Sequence, residues 1–87
     1  MSQDQFHKGL TNILSALNTA LTERGVRGAL VKHNIDDAQP KSATFAVTVN
    51  DKTETQAFSR EEIDDSGEAI DAPAAAKVRM LVSHFVR

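Results

Sequence analysis

Cysteine, tryptophan and tyrosine are absent from the 87 residues. Without a thiol there is no disulfide framework, thiolate metal site, cysteine nucleophile or iron–sulfur cluster, and the redox compartment leaves no mark. The four phenylalanines, Phe6, Phe45, Phe58 and Phe85, fall in four different predicted elements, which suits one shared core better than an aromatic binding platform. No apolar run approaches the roughly 20 residues that span a bilayer. The opening Met-Ser-Gln-Asp-Gln-Phe-His-Lys lacks the basic and apolar blocks of a signal peptide, so a cytoplasmic address and no membrane partner are expected. Glycine occurs only at positions 9, 25, 28 and 67, in neither a dinucleotide fingerprint nor a phosphate loop, and G-x-S-x-G is missing.

What is present describes one small globular domain over residues 1–87, with 40% hydrophobic and 25% charged residues and a formal charge of -2. A chain this short supports one two-layer core but not a large enclosed cleft. The slight acidity speaks against a nucleic-acid binder held by overall charge.

From Asp4 to Arg24 the apolar positions Phe6, Leu10, Ile13, Leu14, Leu17, Ala20 and Leu21 recur every three or four residues, the stripe of an amphipathic helix. Asp4 is placed to cap its start or to favour the helix dipole there, and Gly25 fits the left-handed position that closes many helices. Lys8, Thr11, Asn12, Ser15, Thr19, Thr22 and Glu23 form its opposite face, which is either solvated or a weakly charged contact surface. The period then becomes two, predicting a strand over Val26 to Ile35 with Ala29, Val31, His33 and Ile35 on a mostly buried side. Asp36-Asp37-Ala38-Gln39-Pro40-Lys41-Ser42 is a turn, since proline removes a ladder donor and the aspartates favour local turns. A second strand runs from Ala43 to Val49, and Asn50-Asp51-Lys52 turns the chain into a third over Thr53 to Phe58.

Ser59-Arg60-Glu61-Glu62 has the spacing of a capping box and starts a short helix that Gly67 ends or distorts. Asp71-Ala72-Pro73 supplies a fresh start, and Ala74, Val78, Leu81, Val82 and Phe85 share one face of a closing helix. The predicted fold class is α+β: a two-layer domain in the order α-β-β-β-short α-α, with a three-stranded antiparallel meander and two main helices on one face.

Charge is uneven. Residues 51–71 carry two basic and eight acidic side chains, whereas residues 72–87 carry three basic and no acidic ones. Negative charge near a helix start is favourable in itself. The acidic block Glu61, Glu62, Asp64, Asp65, Glu68 and Asp71 is also a candidate docking surface for a basic protein. A calcium loop begun at Glu62 puts Pro73 where the bidentate carboxylate belongs, so no metal site is expected. His7, His33 and His84 stand in no ligand or triad spacing, and no enzyme activity or cofactor is expected. On the closing helix Met80 lies opposite the apolar stripe beside Lys77 and His84, an exposed apolar contact for an unknown protein partner or for a second copy of this small chain. The partner-binding candidates are thus Glu61, Glu62, Asp64, Asp65, Lys77, Met80 and His84. Nucleic-acid binding is the alternative, through Arg24, Arg27, Lys77, Arg79 and Arg87 if the fold gathers them.

The order helix, meander, helix is similar to that of the double-stranded-RNA-binding domain, and Ala74-Ala75-Ala76-Lys77-Val78 resembles the alanine-rich second helix of that family. The family grips phosphates with a lysine-rich start to its last helix and a basic loop between its first strands. Here Ile70-Asp71-Ala72-Pro73 and Asp36-Asp37 stand in those places, so the resemblance implies topology and no RNA-binding residue. Phe45-Ala46-Val47-Thr48-Val49-Asn50-Asp51-Lys52, continued through Ser59-Arg60-Glu61-Glu62-Ile63, resembles the hairpin and capped helix of small uncharacterised proteobacterial proteins. That likeness implies a bacterial source and no mechanism.

Overall fold

The computed structural model describes residues 2–36 and 42–86, with side chains from residue 5 onward. Three helices and three strands follow one another as α1 (Ser2–Glu23), β1 (Leu30–Asp36), β2 (Ser42–Val49), β3 (Lys52–Ser59), α2 (Arg60–Asp65) and α3 (Ala72–Ser83). The class is α+β, with an open antiparallel sheet in the order β1-β2-β3. Residues 37–41 of the predicted turn lie outside the described residues; Asp36 and Ser42, assigned to it, instead pair with each other as the last and first residues of β1 and β2.

α1 begins at Ser2, so Asp4 is not its cap but lies in its first turn, the position where the helix dipole favours a negative charge. Its end is a Schellman motif. Val26 N donates to the Leu21 carbonyl at 2.9 Å and Gly25 N to Thr22 at 3.0 Å, with Gly25 at φ +76°, a conformation glycine adopts without side-chain cost. That closure and a second left-handed glycine, Gly28 at φ +71°, keep residues 26–29 out of the sheet, and the first strand starts at Leu30 instead of Val26.

Among the described residues only one face of the sheet is covered. Ala43, Phe45 and Val47 on β2 and Phe58 on β3 are buried with Phe6, Leu10, Ile13, Leu17 and Leu21 of α1, Ile63 of α2, and Ala74, Val78, Leu81 and Val82 of α3. Each large side chain so removed from water stabilises the fold by about 1.5–3 kcal/mol. Phe45 and Phe58 meet edge to face at 5.3 Å, the geometry their ring quadrupoles favour. Thr44, Thr53, Thr55 and Ala57 on the other face are exposed. The β2–β3 hairpin closes with two residues, Asn50 taking φ +47° where glycine is usual, and Lys52 pairs with Val49 as the first residue of β3.

Candidate protein-interaction surface

The acidic segment divides into side chains that hold the fold together and side chains that face solvent. Ser59 has extended backbone angles, its Oγ accepts from the Glu62 amide at 3.2 Å, and Glu62 Oε1 accepts from the Ser59 amide at 2.9 Å, which completes the expected capping box. The same carboxylate oxygen receives Lys77 Nζ at 2.6 Å. Burial pushes the Glu62 carboxyl up, but the Lys77 ammonium and the Ser59 amide and hydroxyl outweigh it and hold the group below the usual glutamate range. Lys77 also donates to the Ala57 carbonyl at 3.1 Å and lies 5.6 Å from the Phe58 ring centre. Asp64 pairs with Arg60 one turn back at 3.4 Å, while its Oδ1 is buried with no partner among the described residues. Glu62 and Lys77 therefore join α2 to α3 and β3, whereas the Asp64–Arg60 pair lies within α2. Glu61, Asp65 and Glu68 are the exposed acids.

Helix α2 is tied to α1 from the face opposite the apolar stripe. Asn12 Nδ2 donates to the Ser66 carbonyl at 2.6 Å, and Gln5 Nε2 to the Asp64 carbonyl at 2.9 Å. Ser66 is fully buried, donating to Glu62 O and accepting from the Asp71 amide. Asn12 is thus half-buried, whereas Lys8, Thr11, Ser15, Thr19, Thr22 and Glu23 are exposed as expected.

Lys77 and Met80 of α3, with His84 at its C-terminal cap, form one stripe beside β3. Both ends of the stripe are engaged: Lys77 as above, and His84 with Nε2 3.8 Å from Glu54 Oε1 and its carbonyl receiving Lys52 Nζ at 2.7 Å. Met80 stands 60% exposed between them. His7 lies beside Gly67 and Glu68 near the start of α1, whereas His84 lies at the end of α3, beside which the last turn of α1 packs. Since α1 rises about 1.5 Å per residue, the two histidines do not converge. No group of three or more histidine, aspartate or glutamate side chains among the described residues is arranged to hold a metal ion.

The surface that sequence reasoning missed is the free edge of β1. Not one of its seven residues is buried. Val31 and Ile35 are half-buried on the covered side, His33 is exposed with its ring 5.7 Å from that of Phe45, and Leu30 on the open side is 61% exposed. The inner edge pairs with β2 from Leu30↔Thr48 to Asp36↔Ser42. The outer edge of residues 30–35 makes no hydrogen bond among the described residues. β3, at the other edge, is instead flanked by α3, whose Lys77 and His84 reach its backbone and side chains. The signal was in the composition of β1: Lys32, His33 and Asn34 separate Val31 from Ile35, so the covered side has two apolar residues where β2 has Ala43, Phe45, Val47 and Val49. The alternation fixes the period and overstates the burial.

Of the five cations that could have formed a nucleic-acid patch, two meet. Arg24 and Arg79 flank a cavity of about 240 Å³ between the ends of α1 and α3, lined also by Ala20, Val82, Ser83 and Val86. Lys77 is turned to Glu62, Arg27 is exposed in the connection before β1, and Arg87 lies outside the described residues. Among the described residues no helix is long and apolar enough to cross a membrane. No protein-family model, curated protein or solved structure matches the chain.

Proposed function

We propose that this chain is a cytoplasmic protein-interaction module without catalytic activity, and that it works by accepting an extended segment along the outer edge of β1. The observation that carries this is the edge itself: a strand paired on one side only, none of its residues buried, whose outer edge over residues 30–35 makes no hydrogen bond among the described residues, with two half-buried apolar side chains on the covered side. An added strand satisfies the backbone groups and completes the burial of Val31 and Ile35, which is how sheet edges recognise peptides. Glu61, Asp65, Glu68 and Met80 lie on α2, the loop after it and α3, and in this reading contribute less than the edge.

The test compares wild type with a Leu30→Asp, His33→Asp double variant, both positions being exposed, against a purified binding protein whose contact segment is mapped by hydrogen exchange. Loss of binding in the variant, with an extended segment protected in the partner, is the expected result. Binding that survives the double variant but fails on charge reversal of Glu61, Asp65 and Glu68 moves the interface to the acidic segment and contradicts the proposal.

One observation favours a second reading. Arg24 and Arg79 share a cleft and have no ion-pair partner among the described residues, an arrangement suited to a phosphate backbone. A short duplex that binds with steep salt dependence, lost on Arg24→Glu and Arg79→Glu, would support it.

A further inference from the structure

We infer that the strand received by β1 is β1 of a second copy, paired antiparallel about a twofold axis through His33. The inference rests on the strand-addition reading above and names its partner. β1 runs from residue 30 to residue 36, so an axis at its centre gives every residue of the strand a partner in the other copy, and any other axis leaves residues overhanging. With His33 opposite itself, Val31 falls opposite Ile35 of the second copy on the covered side, twice by symmetry. Each chain alone leaves these two side chains half-exposed, and the pairing buries both against an apolar neighbour.

On the open side Lys32 falls opposite Asn34, and Leu30 opposite Asp36. No two like charges are directly opposed; the diagonal neighbours of each Lys32 are Asp36 and Lys32 of the other copy. An axis at Lys32 would instead set two ammonium groups face to face, which is destabilising. A twofold perpendicular to the sheet keeps the helices of both copies on one side of a continuous six-stranded sheet, and the interface is isologous. A seam of one strand per chain belongs to the small interfaces below about 1,200 Å², so the dimer is weak and dissociates on dilution.

The absence of cysteine from the sequence makes the test clean, because one introduced cysteine is the only thiol. Lys32→Cys, His33→Cys and Asn34→Cys are exposed positions and are oxidised at equal high concentration, with disulfide-linked dimer read on non-reducing gels and folding checked by circular dichroism. Directly opposed residues sit within disulfide reach and diagonal ones do not, so His33→Cys is expected to cross-link on the order of tenfold faster than either neighbour. His33→Glu, which opposes two carboxylates, is expected to sediment as monomer at concentrations where wild type associates. Faster cross-linking at position 32 or 34, or a monomeric wild type with no cross-linking at all three positions, overturns the twofold pairing. A monomeric protein whose binding to another protein still depends on Leu30 and His33 would refute the second copy while leaving strand addition intact.

Discussion

Glu62 sits where α2, β3 and α3 meet, capping its own helix and holding Lys77 at 2.6 Å. Because its carboxyl lies below the ordinary glutamate range, the native state binds fewer protons than the unfolded chain. The stability it contributes is present above the unfolded glutamate value and is lost as pH falls through the lowered native one. Urea unfolding followed from neutral pH through the carboxylate range should therefore show a fall in midpoint that is shallower in Glu62→Gln. Ser59→Ala removes the other half of the cap and should cost about 1 kcal/mol by the same measurement. Gly9 reverses an ordinary rule. In an exposed helix, glycine to alanine gains roughly 1 kcal/mol, but a Cβ here would overlap the Ile63 carbonyl of α2. Gly9→Ala should thus be destabilising by about 1–3 kcal/mol in denaturant unfolding, the cost of overpacking a close contact. The capping box was legible because its partners are three residues apart; the Lys77 contact, the Asn12 bond to Ser66 and the close approach at Gly9 join residues 15, 54 and 54 positions apart, where local spacing carries no signal.

Among the elements, β1 and β2 show how far periodicity reaches. Both alternate, and both are strands in the expected order. β2 is central and its Ala43, Phe45 and Val47 are fully buried, whereas β1 is peripheral and buries nothing completely. Alternation sets which side chains share a face; how much of that face is covered depends on where the helices come to lie. Their stability should differ accordingly. Amides facing the free edge of β1 should exchange with solvent far faster than those paired between β2 and β3, measured by hydrogen exchange in dilute protein. Phe45→Ala should cost about 3–5 kcal/mol, since the ring is enclosed by the core and contacts Phe58 edge-on. The helix assignments hold where the stripes are regular; α1 starts early and closes on a Schellman glycine, and α3 stops at Ser83, which leaves Phe85 of its predicted stripe in the turn beyond the helix.

At the scale of the molecule, a two-layer α+β domain leaves two sheet edges to manage, and it manages them unequally. α3 lies against β3 with Lys52, Lys77 and His84 engaged, while the outer edge of residues 30–35 in β1 makes no hydrogen bond among the described residues. The acidic segment, prominent in the sequence, engages Glu62 and Asp64 in internal ion pairs and leaves Glu61, Asp65 and Glu68 exposed. The most direct check is a dilution series of amide spectra of the wild-type protein. If β1 is the interface, resonances of residues 30–36 shift with concentration while those of α2 and the exposed side of α3 stay fixed. Shifts confined to Glu61–Asp65 and Met80, with β1 unmoved, would contradict the account.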